Sequence, residues 1–371
     1  MVYRIGFIVE QALGHKTYGI NLQHFVSRDP SIEACWGLPV WEIHGLANKI
    51  PIYRSNWTIR AGLRTRAILS KMARPQSPHA LFFHTQVTAV LAPDWLRRTP
   101  SVVSLDATPR QYDRLGAYYG HKSGPAWLEN WKWRLNRDCF SLARHIVTWS
   151  EWTKQGLVTE YEVPADKISV IPPGVDTLTW AHPELRMQGR GPVRVLFVGG
   201  DLDRKGGRLL LKAFRRLRVQ VSDYPNFNDG PRVELHLVTR TPVNPEPGVF
   251  VYSDMKPNSS RLKSLFFKSD IFCLPTLGDC LAMVLSEAGA AGLPTISTRI
   301  AAIPEIIEDG VTGFLVPPGD VEALTAALQH LIRDPELRKR QGQAAEQAVR
   351  QRYDARRNAN RLIDLMKQIS A

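Results

Sequence analysis

Asp279 and Glu287 are acids placed for chemistry. They stand eight residues apart on either side of an apolar run, directly after the buried-strand pattern Ile271-Phe-Cys-Leu-Pro-Thr276. The spacing predicts one short helix beginning at Cys280 with an acid at each end. Eight residues turn through roughly 800°, which sets Glu287 about 80° around and about 12 Å beyond Asp279. A helix that starts at the mouth of a parallel sheet aims unpaired N–H groups and a positive dipole end into the crevice where anions bind. Cys280, Leu281, Ala282 and Met283 are therefore candidate backbone contacts for phosphate. The ligand so described is extended, carries phosphate and offers hydroxyls to two separated acids. A nucleotide sugar has that shape.

A second cationic element precedes this one. After the strand Val193–Val198 comes Gly199-Gly-Asp-Leu-Asp-Arg-Lys-Gly-Gly207 and then a Leu-rich helical run. Glycines such as Gly199 allow close backbone approach to a diphosphate, while Arg204 and Lys205 supply positive charge where a leaving group gains negative charge. A surface turn with solvated basic residues fits the same string equally well. Asp201 and Asp203 form an acid pair of the kind that holds metal in other proteins, but the adjacent Arg204 and Lys205 compete for those carboxylates, and no metal is expected.

In the N-terminal half, Gly14-His15-Lys16 follows the first strand, and Gly14 and His15 are candidate substrate contacts at a helix start. Asp106, after the strand Ser101–Leu105, is a candidate for meeting a sugar or an acceptor hydroxyl. An acid at a strand end also often just caps a turn. His84 is a weaker candidate of the same kind. Between Glu42 and Asp94 the charged residues are all basic, and Arg60, Arg64 and Lys71 share one helical stripe. Such a stripe suits either a solvated face packed on the domain or an anionic membrane surface. Trp127 and Trp131, one turn apart, suit a core or, if exposed, a membrane interface or a sugar.

The elements that position these residues alternate short apolar strands with helical stretches, the pattern of α/β domains on parallel sheets. With 371 residues the chain accommodates two domains. Residues 1–180 are expected to form one Rossmann-like domain and residues 188–351 a second. A linker lies near 177–191, and a last helix over about 352–371 returns to the first domain. The 48 Lys and Arg against 35 Asp and Glu give a net charge of +13, which suits an anionic partner. No helix-turn-helix, zinc-finger or RNP-type pattern is present, so nucleic acid is not expected. The four cysteines form no CxxC pair, which fits a reducing cytoplasm. Without a run of 18 apolar residues or a leader-like start, the expected location is cytoplasmic, with the inner membrane face as a peripheral option.

The ordered set of Thr148-Trp-Ser-Glu151, Ile171-Pro-Pro-Gly-Val-Asp176, the Arg-Lys-Gly-Gly loop, the acid pair, Pro304-Glu305, Asp309-Gly310 and Gly313 resembles the family-four retaining glycosyltransferases of the GT-B fold. The resemblance is strong over the second half and weak over the first. It implies two Rossmann-like domains facing across a cleft, a nucleoside diphosphate sugar held mainly by the C-terminal domain, an acceptor hydroxyl met mainly by the N-terminal one, and neither catalytic metal nor cofactor. It further implies that Asp279 faces the donor sugar, Glu287 grips the ribose, and Lys205 with Arg204 contacts the diphosphate. The chain departs from the family in four places: Asp279 stands where Glu is usual, Leu281-Ala282 where Phe-Gly is usual, Ala301-Ala302 for Gly-Gly, and Gly200 for Arg. The expected activity is metal-independent hexosyl transfer with retention, to a lipid, glycan or small molecule. A non-catalytic nucleotide-sugar binder and a GT-B-fold epimerase are the alternatives.

Overall fold

A computed structural model describes residues 2–11, 14–43, 50–118, 124–180, 191–222 and 232–371. The chain divides into two compact units. One comprises Met1–Arg114, His121–Gly174 and Ala355–Ala371; the other comprises Val175–Asp354 with the short stretch Leu115–Gly120.

The first unit is built on six parallel strands, β1 (Tyr3–Val9), β2 (Ile32–Gly37), β3 (Ala80–His84), β4 (Ser101–Leu105), β5 (His145–Thr148) and β6 (Ile168–Val170), in the order β2-β1-β3-β4-β5-β6. β3 and β4 are buried at every position. Near-continuous apolar runs such as Ala80-Leu-Phe-Phe follow from that, because helices cover both faces of a parallel sheet. Phe83, Val103, Ile146 and Phe140 lie in one core cluster with Leu69, Leu96 and Leu157 from the surrounding helices. β2 has no counterpart in the sequence reading. It is a half-exposed edge strand, Ile-Glu-Ala-Cys-Trp-Gly, in which polar and apolar residues mix without a clean period. The helix Ala355–Ser370 belongs to this unit and is fastened to it by Lys367 Nζ to Asp29 Oδ2 at 2.9 Å and by Arg361 to the Val170 carbonyl at 2.9 Å.

The second unit repeats the plan with β7 (Val193–Val198), β8 (Val233–Val238), β9 (Val249–Tyr252), β10 (Ile271–Leu274), β11 (Thr295–Thr298) and β12 (Gly313–Val316), in the order β12-β11-β10-β7-β8-β9. In each sheet the strand order reverses once, between β1 and β3 in the first and between β7 and β10 in the second. The loops leaving the carboxyl ends of those strand pairs diverge to opposite faces and leave a crevice, the usual ligand position in open α/β sheets.

Of the stretch expected to be a linker, Thr177–Trp180 is a helical turn instead. Asp176 caps it, and Trp180 is buried edge-on against Phe266 at 5.0 Å; residues 181–190 lie outside the described residues. Beyond Asp320 the sequence reads as helical, and the mainly polar helix Pro335–Arg352 lies in that stretch, although its buried stripe of Gln341, Gly342, Ala345 and Val349 is too small and too polar to stand out as a period.

Candidate functional site

The loops at the β7–β10 reversal bring together the residues singled out in the C-terminal half. After β7 the chain turns through Gly199–Gly206 into the helix Gly207–Ser222. Lys205 Nζ lies 2.6 Å from both carboxylate oxygens of Asp279, which follows β10 and is 7% exposed. The Arg204 guanidinium donates to the Gly278 carbonyl at 2.6 Å and stands 3.6 Å from Asp279 Oδ1. Two cations thus flank one buried carboxylate.

Three of the loop glycines are required by the fold. Gly206 adopts φ +75° with the Pro275 carbonyl oxygen 1.9 Å from where a Cβ would stand, and at Gly207 a Cβ would meet Leu202. A Cβ at Gly199 would meet the Lys205 stem at 2.9 Å, so that glycine lets the lysine lie across the strand end. Only Gly200 of this loop faces open space. Arg204 stands 3.9 Å from Asp201, but Asp203 pairs with Arg208 and Lys205 turns to Asp279, so of the two cations expected to compete for these acids one does.

The helix after β10 begins later than its sequence suggests. It spans Met283–Ala290, so Asp279 stands four residues before it and the two acids are not at the ends of one helix. Cys280, Leu281 and Ala282 form a buried extended entry, tied by the Cys280 carbonyl accepting from Ala302 N–H at 3.1 Å. Apolar side chains at these positions bury better as an extended segment than as a solvent-facing first turn. No side chain caps the helix; the Leu285 N–H is taken by the Ala282 carbonyl at 2.9 Å, and the Met283 and Val284 N–H groups are the ones a ligand could meet.

Glu287 is 9% exposed and its carboxylate receives no hydrogen bond from any described residue. Burial pushes it up to about 7, with the Lys263 ammonium pulling the other way. Lys263 escaped the sequence reading; it donates to Thr179 at 2.8 Å and sits over the Trp180 ring, and nothing in the string Ser260-Arg-Leu-Lys signals that placement. A buried carboxylate without donors costs stability unless something arrives to satisfy it.

At the β1–β3 reversal of the other unit, Gly14 precedes the helix His15–Val26 with nothing within 4 Å of a would-be Cβ. His15 turns both ring nitrogens inward, Nε2 toward Glu10 Oε1 at 3.3 Å and Nδ1 toward His84 Nε2 at 2.9 Å. Asp106 follows β4; its carbonyl accepts from Thr153 at 2.6 Å, while its carboxylate makes no hydrogen bond or ion pair among the described residues. Glu10 drew no attention in the sequence, because a single acid after a strand is common.

Against this geometry the comparisons decide. Residues 192–334 match the family model described as Glycosyl transferases group 1, and residues 13–178 match that described as Glycosyltransferase Family 4. The chain belongs to the group 1 glycosyltransferases. It is 31% identical over 205 residues to the MMP alpha-(1->4)-mannosyltransferase of Mycolicibacterium hassiacum, covering 52% of this chain and 47% of that protein. It is 29% identical over 215 residues to the D-inositol 3-phosphate glycosyltransferase of Corynebacterium glutamicum, covering 53% and 50%. The chain thus spans about half the length of these curated relatives. Among solved structures, a sucrose-phosphate synthase from Thermosynechococcus elongatus superposes with TM-score 0.75 at 17% identity over 99% of both chains. Anabaena HepE in complex with UDP and glucose does so with TM-score 0.67 at 14% identity over 98% and 99%. The fold is GT-B.

Two surface features of this glycosyltransferase differ from expectation. Arg60 is no part of an exposed basic stripe: it is 3% exposed, donates to the Tyr53 and Arg54 carbonyls and packs over the Trp41 and Trp57 rings. Arg64 is tied to Tyr53 and to the Val40 and Glu42 carbonyls, which leaves Lys71 as the exposed member. Trp127 and Trp131 lie open at 70% and 55% exposure on the helix Ala126–Leu142 instead of filling a core. Among the described residues no helix is long and apolar enough to cross a membrane, and no cluster of His, Cys, Asp and Glu is arranged to hold a metal.

Proposed function

We propose that this glycosyltransferase moves a hexosyl unit from a nucleoside diphosphate sugar to an acceptor hydroxyl with retention of anomeric configuration and without a catalytic metal. The observation that carries the reading is the pairing, at one strand-order reversal, of the Lys205–Arg204–Asp279 cluster with the unsatisfied buried carboxylate of Glu287. Glu287 would accept both hydroxyls of the ribose. Lys205 and Arg204 would bind the diphosphate and, with the Met283 and Val284 N–H groups, stabilise the charge that grows on the leaving phosphate. Asp279 would then be freed toward the donor sugar. The diphosphate leaves and the acceptor arrives on the same face of the sugar, and the departing phosphate oxygen helps to take the hydroxyl proton. Asp106, whose carboxylate is unengaged, would meet the acceptor, and the open space at Gly14 would admit it.

The test is thermal stabilisation against a panel of nucleoside diphosphates and their sugars, since a ligand that binds only the native state raises apparent stability. HepE was captured with UDP and glucose, which makes the uridine compounds the first to try. One member of the panel should raise the midpoint of the wild-type protein and fail to do so in Lys205→Ala. Equal stabilisation of both proteins, or of neither, contradicts the assignment.

A further inference from the structure

The N-terminal unit carries an unassigned series of buried ionisable groups at its own strand-order reversal. Glu10 follows β1, His15 opens the helix His15–Val26, and His84 ends β3. Besides the two contacts of His15, Glu10 Oε2 accepts from the Thr85 hydroxyl at 3.1 Å and from the Trp57 indole at 3.4 Å. Trp149, after β5, stacks flat on His84 at 5.0 Å, and Tyr18 packs against both rings. Glu10 is 4% exposed and His84 is fully buried. The other charge facing the group is Asp106, after β4, which opposes ionisation of Glu10. Lys16 is turned to Glu42 at 3.6 Å, and Arg60, behind Trp57, is held by backbone carbonyls.

The hydrogen-bond roles follow from the contacts. An ionised Glu10 needs a donor at His15 Nε2, so a neutral His15 accepts at Nδ1 and His84 must carry its proton on Nε2. One further proton from solvent placed on His15 turns both of its contacts into charge-assisted bonds. His84 then accepts at Nε2 and carries its own proton on Nδ1, toward the Ser104 backbone. Burial with the neighbouring His15 ring holds His84 well below the usual histidine value, which keeps the added proton off His84, while burial pushes Glu10 up against the pull of the His15 ring and the Thr85 and Trp57 donors. An added proton thus rearranges the hydrogen bonds between the two rings, while with the proton on Nε2 the buried His84 Nδ1 is left without a hydrogen-bond partner among the described residues.

We propose that Glu10 is a positioning residue which, through a one-proton array with His15 and His84, fixes the first turn of the helix His15–Val26 beside Gly14 and Asp106. This rests on reading that sheet edge as the place where the acceptor hydroxyl is met. His15 becomes part of the support of that edge and not a ligand in its own right, because neither of its nitrogens is left for a substrate.

The experiment is imidazole nitrogen NMR on the whole unliganded chain between about pH 8 and about pH 5, the span in which histidine charge normally changes. In the wild-type protein His84 should stay neutral while its proton moves from Nε2 to Nδ1, at the same midpoint at which His15 gains charge. In Glu10→Gln the tautomer change at His84 should uncouple from the charge change at His15, because a neutral amide no longer requires a donor at His15 Nε2. Thr85→Val, which removes one donor to Glu10, should keep the two changes coupled and serves as the milder variant. Unrelated changes at the two histidines in the wild-type protein, or coupling that survives Glu10→Gln, would overturn the proposal. The wild-type titration needs no variant to fold and no substrate. Failure of every nucleotide sugar to bind would therefore count against the donor reading alone.

Discussion

Glu287→Gln should make the protein more stable at alkaline pH while weakening its grip on the donor. Burial raises the Glu287 carboxyl from an ordinary 4.5 to about 7, so between those values the folded protein keeps a proton that the unfolded chain has lost. The state that binds more protons is favoured at low pH, and stability therefore falls as pH rises through this window. The full loss is about 3 kcal/mol, from roughly 1.4 kcal/mol per pH unit over about 2.5 units, and relaxation makes it an upper bound. Glutamine cannot ionise. The variant should match the wild type near pH 4.5 and exceed it near pH 8 by up to that amount, on the order of 5–10 °C in midpoint. Ribose hydroxyls require the ionised acid, so the wild-type apparent Kd for a nucleoside diphosphate sugar should weaken about tenfold between pH 8 and pH 6, whereas the variant's should stay flat and weak. The sugar nucleotide suits this assay because its diphosphate has no proton to gain in that range. Scanning fluorimetry and titration calorimetry at the two pH values read both effects. A variant less stable than the wild type at pH 8, or a wild-type Kd indifferent to pH, would refute the reasoning.

Other perturbations separate chemistry from scaffold. Lys205→Ala should lower kcat/KM by at least about 100-fold, the scale of losing one preorganised charge at a leaving group, with an unaltered circular dichroism spectrum. Gly206→Ala should cost about 2 kcal/mol or more in denaturant titrations, since the residue combines φ +75° with a carbonyl where its Cβ would go. Trp127→Ala and Trp131→Ala should each leave stability within about 0.5 kcal/mol, because these rings lie open, and a larger loss would mean that they are covered in solution.

The parts of the fold legible in the sequence are those where burial writes a pattern. Ala80–Phe83 and Ile271–Leu274 are continuous apolar runs, and Ser101–Leu105 a mainly apolar one, because helices cover both sheet faces. β2 escaped because an edge strand with one face half open loses that pattern. That the helix starts at Met283 and not at Cys280 is not legible, because Cys280, Leu281 and Ala282 are as apolar as a helix turn, and the contact of the Cys280 carbonyl with Ala302, distant in sequence, leaves no mark in the local string. At the candidate site, Lys205 and Asp279 could be picked out by type, yet their mutual contact was not anticipated. The Glu10–His15–His84 series joins residues up to 74 positions apart, and only the strand order brings them together.

The helix Ala355–Ser370 completes the unit that begins at the amino terminus, whereas Val175–Asp354 forms the bulk of the other unit as one continuous piece. During synthesis the usual order, in which the first-made domain folds first, is therefore inverted. The unit of Val175–Asp354 has nearly all of its chain before the residues that pack against the helix His15–Val26 have been made. The first sheet must wait, with an apolar flank uncovered, for Ala355–Ser370 to emerge.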